Sequence, residues 1–176
     1  MVLFHLFRTP ALSAYQTASL LTTAQKTVSP AIRGIETEFC FNVAADSPLT
    51  PDETRLLRWL LAETFEPKQF SNSSFLTPNS ELPAPNLVFE VGPRMNFTTA
   101  WSANAVSVCH ACGLKKISRI ERSRRFLLSL EERSALSDGQ RPAFLSLVHA
   151  LRPTAWTECW TKRATESSTR PLAEKF

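Results

Sequence analysis

The side chains with the most chemical capacity in this 176-residue chain fall between residues 90 and 129. Cys109-His110-Ala111-Cys112 has the spacing of half a metal site. A structural zinc needs four ligands, and the remaining cysteines, Cys40 and Cys159, offer no second paired spacing, so neither a metal nor a redox pair is expected here. Cys109 and Cys112 also lie three apart on an expected helix, the ordinary position of small core residues. Arg119, Arg122, Arg124 and Arg125 form a basic cluster interrupted by Glu121. On an extended strand Arg119, Glu121 and Arg125 share one face, and Arg122 and Arg124 share the other. Such a pattern can grip phosphate or carboxylate groups bidentately, or serve as a solvated, partner-facing rim. Ahead of the arginines runs a polar stretch carrying Arg94, Asn96, Thr98, Thr99, Trp101, Ser102 and Asn104. Its hydrogen-bonding groups exceed what a simple connection needs, although helix capping accounts for several of them. These residues, with the arginines, are the candidate contact surface.

Nucleophilic catalysis finds no support. His5, His110 and His149 sit inside expected elements with no Ser or Cys beside them in a recognisable motif. With four glycines in the whole chain, there is no glycine-rich phosphate loop. Catalytic, cofactor-binding and metal residues are therefore expected to be absent from this chain.

The composition, 43% hydrophobic and 20% charged, is that of a globular protein able to pack a core. A net charge of +4 and a pI near 9.1 are mild and do not by themselves argue for nucleic acid, which calls for a concentrated basic stripe; nucleic-acid binding through the arginines of 119 to 125 is the weakest of the readings. No apolar run approaches the roughly 20 residues of a membrane span, so no membrane partner is expected. Cysteine usage points to a reducing compartment, with the cytoplasm as the expected location. A mitochondrial or plastid location is the alternative, because the residues before Glu36 hold no acid, are rich in Ser and Thr, and include Arg8, Lys26 and Arg33.

The elements that must position these groups follow from period and punctuation. Val2 to Arg8 reads as an apolar strand, and Thr9-Pro10 as the start of a helix with proline in its first position. From Ile35 the chain alternates: Ile35, Thr37, Phe39, Phe41 and Val43 point one way and Glu36, Glu38, Cys40 and Asn42 the other, the pattern of a half-buried strand with one polar face. Thr50-Pro51-Asp52-Glu53 is a capping box opening an apolar helix that Pro67 ends. After a Pro- and Ser-rich stretch the order begins again: strand 87 to 91, helix 101 to 112 closed by Gly113, strand 117 to 129, and a helix opened by Ser137-Asp138-Gly139-Gln140. Ile35-Glu36 falls on Ile120-Glu121 and the Thr50 cap on the Ser137 cap at a shift of about 85 residues, the mark of an internal duplication. The fold expected is α+β: duplicated β-α-β-α halves, with antiparallel sheets covered by helices and the second sheet face buried by packing one copy on the other. The halves are residues 1–66 and 87–151, joined by a linker over 67–86 and followed by a polar tail over 152–176.

The run Val91-Gly-Pro-Arg-Met-Asn-Phe-Thr-Thr-Ala-Trp-Ser-Ala-Asn-Ala-Val-Ser-Val-Cys through Gly113-Leu114 resembles the N-terminal domain of the phosphoribosylformylglycinamidine synthase family. Arg119-Ile-Glu-Arg, Arg124-Arg-Phe-Leu-Leu, Pro10-Ala-Leu-Ser-Ala and Ile35-Glu-Thr-Glu-Phe-Cys-Phe-Asn-Val support the likeness, which extends from about residue 4 to about residue 149. In that family the domain resembles a dimer of the small PurS subunit. The enzyme converts formylglycinamide ribonucleotide, ATP and glutamine to formylglycinamidine ribonucleotide, ADP, phosphate and glutamate. The resemblance implies a non-catalytic scaffold that docks the synthetase and glutaminase domains of the same enzyme and supports ammonia transfer, with ATP and Mg belonging to those domains. One departure lies after His149, where the family reads His-Asp-Arg-Met-Thr-Glu and this chain reads His-Ala-Leu-Arg-Pro. That change leaves room for a repurposed adaptor that meets unrelated subunits of a larger assembly.

Overall fold

The computed structural model describes residues 1–62, 70–71, 86–93, 98–150 and 157–159. Its elements run β1 (Val2–Arg8), α1 (Ala14–Thr27), β2 (Ile32–Ala45), α2 (Pro51–Leu61), β3 (Phe70–Ser71), β4 (Asn86–Pro93), α3 (Ala100–Ala111), β5 (Ile117–Leu130), α4 (Gln140–Ala150) and β6 (Thr157–Cys159). The strands form one antiparallel sheet in the order β3-β1-β2-β5-β4-β6, which reads as the same three-strand unit laid out twice in opposite directions. The α+β fold and the repeated β-α-β-α order are those expected from the sequence. The halves, however, join edge to edge through β2 and β5 rather than face upon face. Of the 67–86 linker only Phe70–Ser71 and Asn86 are described, both as strand, and of the 152–176 tail only Thr157–Cys159; the rest of both stretches lies outside the described residues.

The ladder between β2 and β5 makes the duplication checkable. It pairs Glu38 with Arg125, Phe39 with Arg124 and Cys40 with Ser123. A shift of about 85 residues carries Glu38 to Ser123 and Cys40 to Arg125. Each flanking pair is thereby the repeat of the other, so the pseudo-two-fold axis passes through Phe39 and Arg124.

Three of the four helices begin on a closed capping box. The Ser13 hydroxyl accepts from the Gln16 N–H at 3.2 Å while Gln16 Oε1 accepts from the Ser13 N–H at 3.0 Å, and Thr50 with Glu53 and Ser137 with Gln140 repeat the exchange. The first helix thus starts at Ala14, four residues after the Pro10 start that the sequence suggests. Thr9-Pro10 is a cis turn, and the N–H groups of Ala11 and Leu12 go instead to Thr37 Oγ1 on β2, at 3.2 and 3.1 Å. At the far end of α3, Gly113 has φ 92°, and the Leu114 and Gly113 N–H groups bond to the Cys109 and His110 carbonyls. This left-handed close is the one the glycine was expected to make.

All four helices lie on one face of the sheet, in two pairs. Helices α1 and α4 cover Ile35, Phe89, Val91, Phe126 and Leu128, with Phe144 packed at 5.0 Å from the Phe89 ring and edge-on to Phe126. Helices α2 and α3 cover Leu6, Phe39, Phe41, Val43, Ile117 and Ile120 through Leu57, Leu61 and Cys109.

The opposite face is polar, as the alternation indicates, and it is buried although the halves join edge to edge. Glu38, Cys40, Asn42, Glu90, Glu121, Ser123 and Arg125 are each at most 4% exposed. Arg125 Nη1 donates to Glu38 Oε1 at 2.7 Å, and its Nε stands 3.9 Å from Glu90 Oε2. The Ser123 hydroxyl donates to Glu90 Oε1 at 2.5 Å, Asn42 Nδ2 donates to Ser123 Oγ at 3.3 Å, and His5 Nδ1 meets Asn42 Oδ1 at 2.9 Å. Buried ions persist only where each is paired, because the desolvation cost otherwise exceeds the attraction. Arg125 therefore belongs to the frame and not to a ligand site. Replacing it (Arg125→Met) leaves two buried carboxylates without the guanidinium between them, and is expected to lower stability by about 3–5 kcal/mol in urea denaturation; a loss below 1 kcal/mol would contradict this role.

Candidate functional site

The polar connection from β4 reaches α3 through Thr98 and Thr99; Arg94 and Asn96 lie outside the described residues. Thr99 is the N-cap of α3, its hydroxyl accepting from the Ser102 N–H at 3.0 Å. Position N3 holds Ser102, too short to return the bond as Gln16, Glu53 and Gln140 do. Glu121 of β5 supplies the missing acceptor: Oε1 takes the Thr99 N–H at 3.1 Å and Oε2 the Thr99 hydroxyl at 2.8 Å. Arg119 in turn donates to Glu121 Oε1 at 3.3 Å. The carboxylate at the N-terminus of α3 also suits the helix dipole. The small Ser102 can then be fully buried, which seats α3 close to the sheet.

This anchoring fixes Trp101 beside the sheet, its ring 6.2 Å from that of Phe41. Arg122 lies over Trp101 at 5.0 Å and over Phe39 at 4.7 Å. Arg124 stands 5.4 Å from the Phe39 ring, and Arg8, at the end of β1, 4.8 Å from it. Three guanidiniums from two strands thus surround one aromatic ring on the pseudo-two-fold axis, where the two helix pairs part. The sequence pointed to Arg122, Arg124 and Trp101 but not to Arg8 or Phe39. The one signal available was parity, since Phe4, Leu6 and Arg8 alternate on the strand side that meets Val43, Phe41 and Phe39. Of the other candidates, Thr98 and Asn104 are exposed at the surface, Thr99, Ser102 and Arg119 hold the helix start, and Arg125 is inside the opposite face.

The thiols and imidazoles are placed for structure. Cys109 is buried under α3, and burial pushes its thiol up to about 11. The Cys40 thiol is driven well above its ordinary value by burial, with the Glu90 carboxylate adding to the effect. Cys112 caps the same helix at the surface. His110 Nε2 is held by the Ile117 carbonyl at 2.7 Å. Among the described residues no three His, Cys, Asp or Glu side chains converge as metal ligands. The arrangement is one of guanidiniums stacked on aromatic rings beside a helix start that a carboxylate anchors.

Fold and register together define a duplicated α+β domain whose two halves share one sheet. The family model for the formylglycinamide ribonucleotide amidotransferase N-terminal region matches residues 38–165, and the chain belongs to that family. It is 38% identical over 172 residues to the probable chloroplastic/mitochondrial phosphoribosylformylglycinamidine synthase of Arabidopsis thaliana, covering 97% of this chain and 12% of that protein. With the phosphoribosylformylglycinamidine synthase of Dictyostelium discoideum it shares 44% identity over 162 residues, 90% of this chain and 12% of the relative. With the human enzyme of that name it shares 41% over 102 residues, 57% and 7% of the two chains. The chain thus spans about one-eighth of the length of the first two relatives.

Removing the carboxylate that caps α3 (Glu121→Ala) is expected to cost about 0.5–2 kcal/mol, the worth of an N-cap, and to change the emission of Trp101; unchanged stability and fluorescence would contradict the anchoring. At pH 8 a thiol with a pKa near 11 is about one part in a thousand thiolate. Iodoacetamide should therefore label Cys112 and spare Cys109 and Cys40 in the folded chain, as read by peptide mass; equal labelling of Cys109 and Cys112 would refute their placement.

Proposed function

We propose that this chain is the scaffold domain of a formylglycinamidine ribonucleotide synthase, docking the glutaminase and synthetase parts and supporting passage of ammonia between them. The observation that carries the reading is the use of the site residues: Glu121, Thr99 and Arg119 fix a helix start, and Arg122 and Arg124 stack on the aromatic rings beside it, with no activated nucleophile among them. Family membership supplies the enzyme to which such a scaffold belongs. ATP, Mg and the reacting groups are assigned to the domains beyond this one. The Arabidopsis relative is named as a chloroplastic/mitochondrial enzyme, which supports an organellar location beside the cytoplasmic one that the composition suggests.

The test is coupling rather than rate alone. In the full-length synthase, Trp101→Ala is expected to lower glutamine-dependent turnover about fivefold more than turnover supported by added ammonia, since the synthetase chemistry is left in place. Equal losses on both nitrogen sources would contradict the docking role. Glutamine hydrolysis by the purified 176-residue chain alone would also overturn it.

A further inference from the structure

The apolar face of α2 is wider than the sheet beneath it covers. Leu57 and Leu61 are buried in the core, and Leu56 and Leu60 pack at its margin, partly buried. Trp59 lies two residues from each buried leucine, about 200° round the helix from both, and so stands on the side away from the sheet. It is 69% exposed. With Leu56 three residues before it and Leu60 after it, the indole carries the apolar arc from the core margin out to the surface. The second half shows that the frame does not require this. Superposing the capping boxes at Thr50 and Ser137 places Leu57 on Phe144 and Leu61 on Val148, all four in the core, and places Trp59 on the exposed Ser146. The charges near the start of α2 are matched within the domain, Arg55 with Asp52 and Glu53 with Lys116. Trp59 is left as a large apolar ring in water.

Resting on the docking role proposed above, we propose that Trp59, flanked by Leu56 and Leu60, is an anchor by which this domain seats on the rest of its own synthase, the indole entering an apolar pocket of the polypeptide beyond residue 176. The length of chain there selects this occupant. The aligned region is 12% of the Arabidopsis and Dictyostelium relatives, so about seven-eighths of each lies outside it and must meet this domain somewhere. An exposed tryptophan between aliphatic side chains is the type of group that carries binding energy once it is desolvated, and the paired charges of α2 form a polar rim around it. The pocket must also offer an acceptor to the indole N–H, which is otherwise buried without a partner.

Photo-cross-linking in the full-length synthase reads the contact directly. Trp59→p-benzoylphenylalanine keeps an aromatic group at an exposed position, and on irradiation the benzophenone bonds to C–H groups that touch it. The expected result is a peptide joining position 59 to a residue beyond 176 of the same polypeptide. Cross-links confined to residues 1–176, or none, would overturn the proposal, and a product of twice the enzyme's mass would overturn it in favour of a second copy. Trp59→Ser, which installs the side chain of the repeat, tests whether the contact is an anchor. Hydrogen exchange in the cross-linked segment is expected to become about tenfold faster in that variant while the β2 and β5 amides keep their rates; unchanged exchange in the segment would overturn the anchoring. The nitrogen-source test on Trp101→Ala separates this inference from the reading it rests on. A response there with no cross-link from position 59 removes this inference alone, whereas a cross-link with coupling indifferent to Trp101→Ala removes the ammonia-transfer role alone.

Discussion

The ladder between β2 and β5, with Arg125 held against Glu38 and Glu90 on its polar side, is the constraint on which the rest of this molecule depends. Neither half is complete without it: each contributes a strand whose inner edge would otherwise present unpaired N–H and C=O groups to water and to other chains. A long antiparallel ladder removes both edges at once. The buried charges make the join specific. A slip of β2 by one residue against β5 would turn Glu38 onto the apolar face, away from Arg125, and Phe39 onto the polar one, a change too costly to be populated. Cys40, Asn42 and Ser123 complete the polar side, and the raised thiol of Cys40 reflects the same dry, carboxylate-rich surroundings.

The placement of the site follows from this join. Because the halves meet edge to edge about a pseudo-two-fold axis, their helices form two pairs that cover the ends of the sheet face and leave its middle to β1, β2 and β5. At the middle the second half carries Arg122 and Arg124 where the first carries Thr37 and Phe39. Tyr15, the counterpart of Trp101 at the second position of its helix, is 83% exposed, whereas Trp101 is half-buried beneath Arg122. A duplicated frame with different side chains at corresponding positions is the outcome. The capping pattern shows the same division: α1 closes on its own Gln16, while α3 borrows Glu121 and is thereby locked to the strand that bears the arginines.

Much of this was legible in the residues. Strict alternation from Ile35 to Val43, the two Ser/Thr-x-x-Glu/Gln boxes at Thr50 and Ser137, and Gly113 after an apolar helix each name a local structure for a local reason, and each element formed where they indicated. The repeat of Ile-Glu followed by a capping box disclosed the duplication. Pairing was the part the sequence could not disclose. Alternation marks Glu38, Cys40 and Asn42 as one face without saying that Arg125 and Ser123 of the neighbouring strand will stand beside them and satisfy them. The same limit hid Arg8, whose meaning comes from a ring on another strand. At Thr9-Pro10 a real helix signal lost to a stronger one four residues on, where Ser13 and Gln16 close a box.

Native-state hydrogen exchange tests the claim that the two halves are one cooperative body built on the β2–β5 join. The amides of both strands are expected to exchange with the free energy and denaturant dependence of global unfolding. Exchange of the β2 amides in an opening that leaves β5 protected, at markedly lower free energy, would show two separable halves and contradict the account.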